Sequence, residues 1–139
     1  MQRLRDSAGF TLIEIMVVVF ILGLLVTLVA PKIIGRTDEA RRVKAGADIK
    51  GIEEALHLFK LDCGFYPPSG SGIDALVHAS GAHCRNPNPE GYLDKVPVDP
   101  WGNPYAYFSD GQKFVIKSYG ADGQEGGDGK NADISSDDL

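Results

Sequence analysis

Two parts of the chain hold residues whose types and spacing could do chemistry. Near the start, Gly9-Phe10-Thr11-Leu12-Ile13-Glu14 places one carboxylate at the mouth of a long apolar run. Glu14 is the only acidic residue between Phe10 and Ala30. A charge in a membrane-length segment is costly, so it points to a function and to a partner of opposite sign. Cutting the chain after Gly9 would create such a partner, the α-amine of Phe10. Near the end, residues 120–131 read Gly-Ala-Asp-Gly-Gln-Glu-Gly-Gly-Asp-Gly-Lys-Asn, five glycines in twelve. By composition alone this is a solvated, disordered tail. The competing chemistry is a hard-cation site, because Ca²⁺ takes about six to eight oxygens from carboxylates and backbone carbonyls. Asp122, Asp128 and Asp133 could supply charge, and glycine would let the carbonyls of Tyr119 and Gln124 converge. The spacing is not that of an EF-hand.

Cys63 and Cys84 are the only cysteines. In an exported domain an even count pairs, and closing a loop of about twenty residues contributes roughly 3 kcal/mol in the loop-entropy model. The alternative, a metal site completed by His78 and His83, matches no familiar zinc spacing. His57 falls on the flank of a helix and reads as structural. No nucleophile elbow, zinc-protease helix or phosphate-binding loop occurs, so the expectation is a structural subunit and not an enzyme.

These residues need elements to position them. The chain has 139 residues and a net charge of −5, with no basic patch interleaved with aromatics, which argues against nucleic acid as a partner. Phe10 to Ala30 would span roughly 31 Å as a helix, close to the hydrocarbon thickness of a bilayer. It has no polar face. A removed signal peptide is the simpler reading, but the run is long for one and no Ala-x-Ala-like site precedes Pro31 and Lys32. Arg3 and Arg5 place the N-terminus in the cytoplasm, whereas the larger cluster Lys32, Arg36, Arg41, Arg42, Lys44 and Lys50 on the other side argues for the reverse. Pro31 predicts a kink, and Gly23 and Gly35 are weaker points in the helix.

Beyond Pro31, Ala45, Ile49, Ile52, Leu56 and Phe59 recur at spacings of 4, 3, 4 and 3, a single apolar stripe on a helix. Gly64, Pro67, Pro68 and Gly70 end it. Residues 72–80 can hold a short helix. Tyr105 to Phe108 and Lys113 to Tyr119, joined by Ser109-Asp110-Gly111-Gln112, read as a β-hairpin. Trp101, flanked by the turn residues Asp99, Pro100, Gly102 and Pro104, reads as a core anchor. One helix and a few antiparallel strands make an α+β head of roughly a hundred residues.

Gly9 to Glu14 followed by the apolar run resembles the type IV prepilin superfamily. Leu58 to Pro67, Ile73 to Val77, Val96-Pro97-Val98-Asp99-Pro100-Trp101-Gly102-Asn103-Pro104-Tyr105, and Ser118 to Gly123 with Asn131 to Ile134 resemble the major pseudopilins of type II secretion, the general secretion pathway protein G family. The likeness covers residues 9–134. It implies a pilin-like fold, with a leader at 1–9, a transmembrane or filament-core helix at 10–35, an amphipathic half at 36–61, and a periplasmic head at 62–139. It implies a prepilin peptidase that cuts after Gly9 and methylates Phe10. It also implies a single-pass inner-membrane subunit with a cytoplasmic N-terminus, lying in membrane lipid until it joins a homo-oligomeric helical filament. Pairing of the Phe10 amine with Glu14 of a neighbour would guide assembly. Minor pseudopilins and an inner-membrane secretion platform are the implied partners, and a periplasmic filament driving export of folded proteins is the implied function. The terminal loop, 119–134, would bind one structural Ca²⁺ through Asp122, Asp133 and the carbonyls of Tyr119 and Gln124. A further family acid falls on Ala132, for which Asp128 is the candidate replacement. The cysteines, the segment 79–87 and the ending Ser135 to Leu139 depart from the family pattern. A surface type IV pilin and a signal-anchored periplasmic domain are the competing readings.

Overall fold

The computed structural model describes residues 8–78 and 83–139, apart from the side chains of residues 30–35. Most of the expected leader and the last residues of the expected short helix lie outside the described residues, while the backbone at Pro31 and Gly35, the expected kink and weak point, is assigned to one helix.

Helix α1 runs from Leu12 to Cys63, 52 residues. It starts on Thr11, whose Oγ1 accepts the Glu14 amide at 3.3 Å while its carbonyl accepts the Glu14 and Ile15 amides at 3.1 and 3.3 Å. Thr-x-x-Glu is the sequence of a capping box, and a carboxylate in the first turn is favoured by the partial positive charge of the helix N-terminus. The helix belongs to two compact units, residues 1–37 and 38–139. In the first, Leu12–Val29 has a mean hydropathy of 3.0 and no buried residue, and is long and apolar enough to cross a membrane.

In the second unit the helix carries the apolar stripe expected from its period. Ala45, Ile49, Leu56 and Phe59 are fully buried and Ile52 is 1% exposed. Each large side chain buried this way stabilises the head by about 1.5–3 kcal/mol. The core is completed by Tyr66, Ile73 and Leu76, the last on the short helix α2 (Asp74–Val77), and by Tyr105, Tyr107, Ile116 and Ile134.

Strands β1 (Ala106–Ser109), β2 (Phe114–Ser118) and β3 (Ile134–Ser135) form an antiparallel sheet in that order. Tyr107 sits opposite Ile116, and Ser118 opposite Ile134, so the inward residues meet on one face. The hairpin falls where the sequence predicts it. Asp110 Oδ1 accepts the Gln112 and Lys113 amides at 2.9 and 2.8 Å, which holds its carboxyl below the usual range. Gly111 O accepts the Tyr66 amide at 2.9 Å, and Tyr107 donates its hydroxyl to Pro67 O at 2.7 Å. These bonds tie the hairpin to the chain leaving α1.

Two further ties hold the head to the helix. Tyr105 donates its hydroxyl to Asp48 Oδ2 at 3.0 Å, and Lys44 reaches the same oxygen at 2.6 Å. Burial and the adjacent Asp48 carboxylate raise the Tyr105 hydroxyl well above its ordinary value, so it stays a donor. At the end of α1, Tyr92 donates its hydroxyl to Asp62 at 2.7 Å, and its amide to Leu76 O at 2.7 Å. Gly91 has φ +79° there, and a Cβ would lie 2.6 Å from the Val77 carbonyl oxygen. His57 Nδ1 lies 3.1 Å from the Tyr66 hydroxyl, and its ring packs edge-on to Phe114, a structural role.

Cys63, the last residue of α1, is disulfide-bonded to Cys84 with Cα atoms 4.8 Å apart. Both sulfurs are taken up in this bond, so neither cysteine is available to ligate a metal beside His78 and His83. Replacing both cysteines by serine should lower head stability by roughly 3 kcal/mol, a fall of about 10 °C or more in melting midpoint. Thermal unfolding of the detergent-solubilised full chain checks this. An unchanged midpoint would show that the cross-link contributes nothing.

Candidate functional site

The N-terminal motif divides at the start of α1. Gly9 and Phe10 precede the helix, both exposed, Phe10 at 79%. A Cβ on Gly9 would meet nothing within 4 Å. The Gly9–Phe10 peptide is therefore non-helical, open backbone, the form a protease needs. Glu14 lies one turn on, with its amide satisfied by Thr11 and its carboxylate unpartnered among the described residues. The helix N-terminus favours the charge, but an apolar surrounding leaves it in need of a cation. Thr11 is the residue the sequence reading passed over, although its spacing to Glu14 is the capping signal.

The terminal loop is closed and ordered by its own backbone. Ala121 N donates to Lys130 O at 3.1 Å, and Ala132 N to Gly129 O at 3.3 Å across a 3-10 turn, Gly129–Asn131. Gly120, at φ +71°, lies so close to the returning strand that a Cβ would sit 2.8 and 2.9 Å from the Asn131 and Ala132 carbonyl oxygens. Only glycine fits such a position. Both carboxylate oxygens of Asp133 accept the Gly126 amide at 3.1 Å, and Asp122 Oδ1 accepts the Gln124 amide at 3.1 Å. Tyr119 leads into the loop at the end of β2. Asp128 opens the 3-10 turn without a side-chain capping bond. The three aspartates are not drawn into one cluster. Two of them, Asp122 and Asp133, bond loop amides.

The loop rests on residues from elsewhere. Asp99, 3% exposed, accepts the Trp101 and Asn103 amides on Oδ1 at 3.1 and 2.8 Å, and the Ser118 hydroxyl on Oδ2 at 2.9 Å. Ser118 Oγ in turn accepts the Gly120 amide at 3.4 Å. A buried carboxylate is tolerable because donors surround it. A Cβ on Gly123 would lie 3.1 Å from Asn103 Nδ2, so the Asn103 side chain abuts the loop. From α1, Arg42 Nη1 donates to Ala132 O at 2.7 Å. The Asp-Pro-Trp-Gly-Asn turn was legible as an anchor for Trp101, which packs partly buried against the core. Its second task, bracing the loop through Ser118 and Asn103, needed the tertiary structure.

Comparison with known proteins gives these features a common setting. A family model described as type II secretion system protein G matches residues 32–137, and one described as the prokaryotic N-terminal methylation motif matches residues 4–30. The chain is 51% identical over 138 residues to the type II secretion system core protein G of Pseudomonas aeruginosa, covering 96% of each chain. It is 46% identical to that of Vibrio cholerae, covering 96% of this chain and 94% of that one. The crystal structure of the major pseudopilin of the type 2 secretion system of enterohaemorrhagic Escherichia coli superposes with a TM-score of 0.65 at 31% identity, over 76% of this chain and 94% of the other. By name these relatives are components of the type II secretion system, and the solved one is its major pseudopilin. The long helix, the three-stranded head and the methylation motif therefore have one explanation: the chain belongs to the type II secretion system protein G family.

Proposed function

We propose that this pseudopilin is processed after Gly9 by a prepilin peptidase, methylated on Phe10, and polymerised into a periplasmic pseudopilus that drives folded proteins across the outer membrane. The observation that carries this is the unburied apolar segment Leu12–Val29 with one carboxylate in its first turn. Apolar surface of that extent cannot stay in water. Before assembly the bilayer covers it, with the N-terminus cytoplasmic and the head periplasmic. In a filament the same segment of neighbouring copies covers it, so burial is kept through the transfer. Glu14 then meets the Phe10 amine of a neighbour, and each charge removes the cost of burying the other. Minor pseudopilins and the inner-membrane secretion platform are the partners this assembly requires.

The terminal loop fits a structural Ca²⁺. Its donors are all oxygen, which suits a hard cation, and backbone carbonyls add to the carboxylates. Asp122, Asp133 and the carbonyls of Tyr119 and Gln124 would hold the ion, with Asp128 in place of the acid that Ala132 lacks. The ion's contribution when bound is to neutralise the carboxylates and stiffen the closed loop.

Glu14→Ala should still be cleaved and inserted in the membrane but yield few filaments, while secretion falls in parallel. Quantifying sheared filaments and exported protein in a deletion strain carrying the variant checks this, and a normal filament yield would refute the charge-pairing role. Removal of Ca²⁺ with a chelator should lower head stability. A ligand at a hundred times its dissociation constant adds about 2.7 kcal/mol, so the melting midpoint of the full chain should fall by roughly 10 °C. A midpoint indifferent to chelator and to added Ca²⁺ would remove the ion from the account.

A further inference from the structure

We infer that Arg42 is a positioning residue that fixes the terminal loop to helix α1, so that the geometry of the loop's oxygens depends on a side chain remote from it in sequence. The cation part of this inference rests on the Ca²⁺ reading above; the mechanical part does not.

The placement is specific. Arg42 is partly buried, and its Nη1 reaches the Ala132 carbonyl at 2.7 Å, across 90 residues of sequence. It forms no ion pair among the described residues, so its head is committed to this backbone oxygen. A hydrogen bond from a charged donor is among the stronger single contacts. Ala132 is a sensitive point in the loop. Its amide closes the 3-10 turn on Gly129, and its carbonyl lies against Gly120 on the incoming strand. The next residue, Asp133, holds the Gly126 amide with its carboxylate. Moving the Ala132 peptide therefore moves both the loop's closure and one of its two bonded carboxylates. Two turns along α1, Lys50 donates to the Leu139 carbonyl at 3.3 Å, and the Leu139 side chain lies 3.4 Å from where a Gly46 Cβ would stand. The chain after the loop thus lies along the same helix, which leaves Arg42 as the contact that belongs to the loop itself.

The guanidinium acts through this hydrogen bond and not through its long-range field. An added cation would feel its repulsion only weakly through screening solvent, whereas a shifted Ala132 peptide would carry the adjoining Asp133 carboxylate out of place. Arg42→Gln keeps a donor without the charge, and Arg42→Ala removes both.

Hydrogen exchange followed by mass spectrometry on the detergent-solubilised full chain, in chelator, tests the mechanical part. In Arg42→Ala, amides of residues 120–133 should exchange about tenfold faster, as expected for losing one charge-assisted hydrogen bond, while those of β1 and β2 stay unchanged. Arg42→Gln should recover part of the protection. Equal acceleration in the loop and in the sheet would show a general loss of stability and overturn the assignment, as would no change in the loop. Titration with Ca²⁺ tests the coupling: the dissociation constant of Arg42→Ala should rise about tenfold, with Arg42→Gln between. Unaltered affinity in Arg42→Ala would sever loop geometry from the helix. A wild-type chain that binds no Ca²⁺ would defeat the cation reading alone and leave the exchange result to decide the role of Arg42.

Discussion

Ile49, Ile52, Leu56 and Phe59 are sealed from water along one side of α1, and every other part of the head is arranged around that burial. The sheet has only three short strands, and β3 is two residues long. Such a sheet has too little surface to hold itself together. The helix supplies the missing half of the core, and the head in return gives the helix a place to hide its stripe. Polar ties from Asp48 to Tyr105 and from Asp62 to Tyr92 fix the register of that contact without providing its energy. The other end of the helix is different, for no residue from Leu12 to Val29 is covered by the chain itself. One continuous helix thus carries both a stripe buried in the head and an apolar segment that the chain itself leaves uncovered.

The terminal loop shows how an irregular segment can be specified without a core. Its glycines make close backbone approach possible, as at Gly120, and its aspartates spend their oxygens on local amides. Support from outside comes from three directions: Ser118 backed by the buried Asp99, the Asn103 side chain, and Arg42. An acidic, glycine-rich stretch would by composition stay solvated and mobile. It is ordered here because its partners lie in segments that are themselves fixed by the core.

Periodicity made much of the fold legible. The stripe from Ala45 to Phe59 announced itself by its spacing, and the hairpin by aromatic and β-branched runs around Asp110-Gly111. With only two cysteines, one pairing was available. Strand β3 was not legible, because Ile134 and Ser135 are too few to show an alternation and stand in an acidic tail. Arg42 left no mark either: a guanidinium that bonds a backbone carbonyl asks nothing of the side chain at Ala132. Thr11 was legible as a cap, but the motif around it drew attention to cleavage and charge instead. The family resemblance carried what spacing could not, the sequence of processing and assembly. Asp122 and Asp133 illustrate the limit of reading acids by count, since each accepts a nearby loop amide.

Trp101 is the only tryptophan in the chain, and its indole Nε1 is buried without a hydrogen-bond partner among the described residues. The same turn carries Asp99 and Asn103, which touch the loop through Ser118 and Gly123. The protein therefore contains a single indole beside its five tyrosines, seated where the head core meets the support of the loop. Its emission at the red edge of the absorption band is free of any other indole, and its buried position makes that emission sensitive to a change in the turn. The molecule carries its own optical gauge of how tightly that corner is closed.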